Sequence, residues 1–222
     1  MLAGEAVVAI WNGIAPEARD QFYDWHTNEH MPERVGIPGF RRGRRYIAAT
    51  ADTSPEFFTL YEADTMQVLQ GSDYANRLND PTPGTQATIT QFRDTSRALS
   101  RVIVSHGHGM GGMLLTIRFD CDAQHLPGIR ALVRAAAQAA RVTGAHLCLC
   151  DTTASATRTA ETRARTDIQV PPSLFIMVEA TDAEALTDIL LERALSGAGA
   201  LGPFIRGVYR LEYVRTKTGF AP

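Results

Sequence analysis

Pro55-Glu-Phe-Phe-Thr-Leu-Tyr-Glu-Ala63 and Pro172-Ser-Leu-Phe-Ile-Met-Val-Glu-Ala180 share four of nine positions, and each is soon followed by an acidic residue and a helical pattern. Around this pair the same series of elements is read twice. Ala6 to Trp11 is an apolar run suited to a buried strand, and Pro16-Glu17 opens a helix that is expected to end near Met31, before Pro32. Strands follow over Phe40 to Ala49 and Glu56 to Ala63, then a helix over Met66 to Leu78 and a long strand between Thr90 and Ser105. After the break His106-Gly-His-Gly-Met-Gly-Gly112 come a strand over Met113 to Phe119 and a helix over Pro127 to Val142. Strands at Ala145 to Asp151 and Ser173 to Ala180, a helix at Asp182 to Leu195 and a strand at Phe204 to Arg215 complete the chain.

The order is βαββαβ in both halves, which predicts an α+β fold of two ferredoxin-like units, residues 1–108 and 109–222. Each unit is an antiparallel sheet with both helices on one face, so the bare faces cover one another sheet to sheet. Thr152 to Gln169 has no apolar periodicity and reads as an exposed, mobile excursion of the second unit, whose arginines could also form a lid.

With 45% apolar and 21% charged side chains, the 222 residues have the proportions of a globular chain able to bury a core. The formal net charge of −2 offers no basic field for phosphate backbones, so nucleic acid is not an expected partner. No apolar run approaches the roughly 18–20 residues that span a bilayer, and the N-terminus lacks a basic signal-peptide region, so no membrane partner and a cytoplasmic location are expected. Cys121, Cys148 and Cys150 form no CxxC pair and read as small apolar side chains rather than disulfides or zinc ligands. Gly107-His-Gly109-Met-Gly-Gly112 is not a dinucleotide fingerprint, and no phosphate-binding G-x-x-x-x-G-K-[ST] occurs.

The chemistry concentrates in Phe22-Tyr-Asp-Trp-His-Thr-Asn-Glu-His-Met-Pro-Glu-Arg34. At about 100° per residue, Ala18, Phe22 and Trp25 define an apolar face, Glu29 falls within it, and His26 and His30 flank it. A buried, unpaired carboxylate costs several kcal/mol, so Glu29 must pair, neutralise, bind a ligand or be less buried than the wheel implies. Arg41, Arg42, Arg44 and Arg45 lie on the next strand, where a period of two sends Arg42 and Arg44 to one face and Arg41 and Arg45 to the other. The second unit's matching helix, PGIRALVRAAAQAARV, has no aromatic, acid or histidine. The asymmetry predicts one working pocket, in the first unit, and a mainly structural second unit.

His26-Thr-Asn-Glu-His30 also fits H-x-x-E-H, in which two histidines hold zinc and the glutamate is a base; His106 or His108 could supply a third ligand. The bland reading of this helix is a Glu–Arg pair that merely orients helix and strand, and that of His106-Gly-His-Gly is a hinge.

Trp25-His26 with Glu29-His30-Met-Pro-Glu33, then Pro38-Gly39-Phe40 and Arg44-Arg45-Tyr46, resemble the dimeric α/β-barrel proteins, especially the EthD-like group; Leu78-Asn-Asp-Pro-Thr-Pro83 is also similar to members of that superfamily. The resemblance is most specific over residues 5 to 105 and implies a fused dimeric α/β barrel, with both units from one chain. Members include cofactor-free monooxygenases, cyclases, lactone isomerases and haem proteins. It implies a pocket lined by His26, Glu29 and His30, with Arg45 and Tyr46 beside them. The expected activity is cofactor-free acid/base chemistry on an aromatic or polyketide-like carbonyl compound, with no metal or organic cofactor. In that reading His26 is the general base, Glu29 orients it or shuttles the proton, Arg44 or Arg45 stabilises an enolate or carboxylate oxygen, and Trp11, Tyr23, Tyr46 and Tyr61 line the pocket. Alternatives are a non-catalytic small-molecule binder and a metal enzyme using His26, Glu29 and His30. The chain is expected to be a monomer with an internal pseudo-dimer, or a homodimer.

Overall fold

A computed structural model describes residues 1–163 and 168–218. Eight strands close one antiparallel barrel: β1 (Ala6–Ile14), β2 (Phe40–Ala48), β3 (Phe57–Ala63), β4 (Phe92–Gly107), β5 (Met113–Cys121), β6 (Val142–Cys150), β7 (Leu174–Ala180) and β8 (Ala200–Thr216). Around the barrel they run β1-β3-β2-β8-β5-β7-β6-β4. Within each half the spatial order is therefore fourth, first, third, second, as a ferredoxin-like sheet requires.

The long fourth strands join the halves. The first part of β4 pairs with β1 and its end with β6, while β8 pairs with β5 and then β2. Both seams lie within one chain, so no second copy is needed to close the barrel. The interior core draws Val7, Ala9, Trp11, Tyr46, Phe58 and Leu60 from one half and Leu114, Cys148, Phe175 and Met177 from the other. Three further clusters lie outside the barrel among the described residues, two under the helices of the first half and one under those of the second.

The helices depart most from expectation. The first passes straight through Pro32: α1 (Arg19–Trp25) runs into a wide π turn at His26–His30 and on into α2 (Met31–Gly36). Pro32 lies in the first turn of α2, where a missing N–H and a fixed φ are least disruptive. The helix expected over Met66 to Leu78 is two, α3 (Met66–Gln70) and α4 (Ser72–Asn79), broken where Gly71 adopts extended ψ. A further helix, α5 (Pro83–Ile89), starts at Thr82, whose Oγ1 accepts from the Thr85 N–H at 3.0 Å.

In the second half α6 (Leu126–Ala136) ends early because Val142 already begins β6. The excursion after β6 is more ordered than its composition suggests. It forms α7 (Thr152–Ser155) and α8 (Ala160–Arg163), and Thr159 and Glu161 are buried. Residues 164–167 of that excursion lie outside the described residues. The helix expected over Asp182 to Leu195 is a 3₁₀ turn at Glu184–Leu186 and α9 (Glu192–Gly197), separated by Leu190 at φ 50°. Among the described residues no helix is long and apolar enough to cross a membrane.

Candidate functional site

The π turn decides which side chains of the first helix face inward. It widens one turn, so residues after it fall out of phase with a 100° wheel. His26 and His30 are buried at 3% and 6% exposure, whereas Glu29 is half-buried and turned aside. Its Oε1 accepts from the Thr82 hydroxyl at the start of α5 rather than from an arginine. Glu29 therefore escapes the desolvation cost by leaving the apolar face, and it neither touches nor orients His26.

Arg45, on the helix-covered face of β2, fixes His26. Its Nη1 donates to His26 Nδ1 (3.2 Å) and Thr27 Oγ1 (3.0 Å), and its Nε donates to Glu212 Oε2 (3.2 Å). Tyr23 packs against the same guanidinium, 4.7 Å from its ring centre, and donates to Glu212 Oε1 at 3.2 Å. A guanidinium cannot accept a hydrogen bond, so Nδ1 is the acceptor and the imidazole proton sits on Nε2. That Nε2–H points at Tyr61 Oη, 3.5 Å away. Burial, followed by the positive charges of Arg45 and Arg34, holds the His26 pKa well below the ordinary 6.5. Burial also pushes the Tyr61 hydroxyl upward, so it keeps its proton.

Beyond Tyr61 lies a void of about 20 Å³, walled by His30, Tyr61, Arg34, Tyr74, Leu78, Arg97 and Glu161 among others. His30 stacks on Trp25 with ring centres 4.2 Å apart. A larger cavity of about 310 Å³ shares Tyr74, Leu78 and Arg97 as walls and opens between α3, α4, β4 and the excursion of the second half. Leu69, Tyr74, Leu78 and Leu99 give it an apolar lining. Arg34 on α2 pairs with Glu161 on α8 and, at 3.1 Å, with Glu33, tying the excursion over this end of the first half.

The expected residues thus divide between two faces of one sheet. His26, His30, Tyr23, Arg45 and Tyr61 gather on the helix side. Trp11, Arg44 and Tyr46 point into the barrel: Trp11 Nε1 donates to Thr116 Oγ1 (3.1 Å), and Arg44 bridges Glu62 (2.9 Å) and Glu179 (3.0 Å). A residue and its neighbour on a strand face opposite ways, so Arg45 and Tyr46 cannot line one pocket.

The H-x-x-E-H spacing does not produce a ligand set. His26 has both ring nitrogens engaged, Glu29 turns to Thr82, and the histidine ring centres are 5.8 Å apart. His106 lies on β4 opposite Ala145, and His108 is exposed on the β4–β5 connection. Among the described residues no group of three or more His, Cys, Asp or Glu could hold a metal ion.

Sequence reading missed Arg34, Tyr74, Arg97 and Glu161. Strand parity places Arg97 with Thr95 and Leu99, but Arg93 and Arg101 share that parity, so nothing in the strand singled Arg97 out. Glu161 carries no local signal, because only the tertiary fold brings the excursion of one half over the helix of the other.

No protein-family model matches this chain, and no curated protein matches it. Solved structures do share its shape. An anthrone oxidase-like protein aligns at TM-score 0.58 and 10% identity, covering 95% of this chain and 92% of that one. A candidate monooxygenase from Fusobacterium nucleatum aligns at 0.56 and 9%, covering 99% and 98%. Another, from Lactobacillus acidophilus, aligns at 0.56 and 9%, covering 96% of each chain. At such identity the likeness is one of fold. The chain has a ferredoxin-like, dimeric α/β-barrel fold, with both barrel halves supplied by one polypeptide.

Proposed function

We propose that the chain is a small-molecule enzyme with its working pocket in the 1–108 half, acting without a metal or organic cofactor on an aromatic or polyketide-like carbonyl compound. The observation that carries this reading is the ordered series Arg45, His26, Tyr61, which ends at the void bordered by His30. A neutral imidazole held in one tautomer donates to Tyr61 Oη and leaves the Tyr61 proton directed at the void. There it can hydrogen-bond a substrate carbonyl oxygen as negative charge develops. His30, on the wall of the same void, is placed to take the proton from the carbon beside that carbonyl. The C–H electron pair becomes the enolate double bond, and the proton's return to another carbon completes an isomerisation.

In this scheme His26 positions Tyr61 rather than acting as the general base, since Arg45 occupies Nδ1. The apolar cavity of about 310 Å³ holds the body of the substrate and is near the lower end of the usual range for ligand sites, about 300–1,000 Å³. The names of the structural neighbours, an anthrone oxidase-like protein and monooxygenases, accord with an enolate as the common species; dioxygen would be its oxidant in the monooxygenase variant.

Incubating chelator-treated protein with a panel of aromatic and polyketide-like ketones, with mass analysis of the products, tests the proposal. A product of altered structure or mass is expected from wild type and not from His30→Ala. Saturable binding with no product from any ketone would replace the enzyme by a passive binder. Activity only after addition of a divalent metal would reinstate metal chemistry.

A further inference from the structure

Arg97 is buried, with 7% of its surface exposed, and it borders three spaces at once: the cavity of about 310 Å³, the inner void of about 20 Å³ and a third of about 240 Å³ under the excursion. A buried guanidinium ordinarily has a carboxylate beside it, because stripping its water without compensation is expensive. The other buried arginines of the first half follow the rule. Arg34 has Glu33 and Glu161, Arg44 has Glu62 and Glu179, and Arg45 has Glu212. Arg118, inside the barrel, lies over the Trp11 ring at 4.7 Å.

Arg97 has no carboxylate within ion-pairing distance among the described residues. Its one hydrogen bond there is from Nη2 to Tyr74 Oη at 3.0 Å. Asp151, which also lines the large cavity, is spoken for: Oδ2 accepts from Gln70 (2.9 Å), and Oδ1 accepts from the Ala154 N–H (2.8 Å). Among the described residues, the remaining donors of Arg97 therefore face cavities rather than protein acceptors. Arg158 and the hydroxyls of Thr157 and Thr162 stand around the outer of those cavities.

We infer that the molecule this pocket takes is a small organic acid, its apolar body among Leu69, Tyr74, Leu78 and Leu99 and its carboxylate paired with Arg97. A carboxylate and this buried guanidinium form a charge-assisted, bidentate-capable pair, which gives strength and orientation together. The inference names the ligand class for the cavity of the proposed enzyme and rests on that cavity being the working pocket. It does not require turnover. Arg97 and His30 wall the same inner void, which at about 20 Å³ admits only a water-sized group, so an acid anchored on Arg97 keeps its body in the large cavity and turns one edge toward Tyr61 and His30.

Calorimetric titration of the full chain with 2-naphthoate and its neutral isostere 2-naphthamide tests it. The acid is expected to bind about tenfold or more tightly than the amide, as a hydrogen bond to a charged group predicts. Arg97→Met should reduce the acid to the affinity of the amide and leave the amide unchanged, while Arg97→Lys restores part of the preference. Equal affinities for acid and amide in wild type, a preference that survives in Arg97→Met, or no saturable binding of either probe would overturn the inference. The wild-type comparison decides even if a variant fails to fold. Tyr61→Phe separates the two readings: loss of turnover with the acid preference intact supports both. No turnover in wild type, with that preference intact, removes only the enzyme.

Discussion

Arg44→Met is expected to destabilise the protein by about 3–5 kcal/mol, the usual cost of leaving a buried charge without its partner. For a chain of this size that corresponds to a fall in thermal midpoint of roughly 6–20 °C. The reason lies in the repeated strand that ends Tyr-Glu-Ala in the first half and Val-Glu-Ala in the second. Its glutamates, Glu62 and Glu179, occupy equivalent positions, are at most 1% exposed, and meet inside the barrel on the same guanidinium. Glu62 keeps a second cation, since Arg42 donates from Nε at 2.9 Å and Nη2 at 2.8 Å. Among the described residues Glu179 has Arg44 as its one arginine, with the buried His146, whose Nε2 is 3.4 Å from Oε1, and the Gly111 N–H, which donates to Oε2 at 3.3 Å.

Burial alone would raise the Glu179 carboxyl, but the His146 hydrogen bond and the Arg44 charge outweigh it and hold the group at about 2. A carboxyl that titrates near 4.5 in the unfolded chain and near 2 in the fold stabilises the protein above pH 4.5, and that contribution is lost as pH falls toward 2. Without Arg44 the carboxyl loses its charge partner and rises from about 2, so the variant has less of this stability to lose in acid than wild type does. The gap between the wild-type and Arg44→Met thermal midpoints should therefore narrow as pH is lowered. Adding Glu179→Gln to Arg44→Met should recover part of the loss. A gap that is small, or that widens in acid, would show that the barrel interior is not organised around this charge.

Tyr61→Phe is expected to lower kcat by about 10²–10³ while changing KM little, because the lost hydrogen bond strengthens only as charge builds on the substrate oxygen. The fold should barely notice, since the hydroxyl's contact with His26 is a long 3.5 Å. A thermal midpoint within a few degrees of wild type is the control. His26 lies behind that hydroxyl and stays neutral through the ordinary range, so it should impose no step on the pH–rate profile near 6.5. Its depressed pKa also makes folding less favourable as pH falls below 6.5, where the unfolded chain gains a proton that the buried ring resists. Full activity in Tyr61→Phe would remove the series from the chemistry.

The strands were legible in the sequence because alternation and β-branched runs leave few readings, and the repeat at Glu62 and Glu179 marked both third strands. Strand parity alone also separated Arg44 from Arg45. The same parity argument, pressed further, would have kept Tyr46 out of a pocket that contains Arg45. The helices were harder. A single π turn at His26–His30 shifts the phase of the helix, so a regular wheel buries Glu29 and misplaces the residues beyond it; nothing in HTNEH announces the turn. Pro32 reads as a stop but is equally at home in a first turn. The helix capped at Thr82 went unread, because seven residues are too few to show periodicity. The pocket's outer wall was illegible for a different reason. Thr157, Thr159 and Glu161 sit in a polar run without pattern, and their value comes from packing over a helix more than a hundred positions earlier.

The central claim is that the chain has one working pocket, on the helix side of its first half and roofed by the excursion of the second. A crystal structure of the complex with 2-naphthoate tests it most directly. The account predicts the naphthyl ring between Tyr74, Leu78 and Leu99, with the carboxylate on Arg97 and the ring edge toward Tyr61 and His30. A ligand found inside the barrel beside Arg44, or in the apolar groove between α6 and α9, with the Arg97 cavity empty, would contradict it.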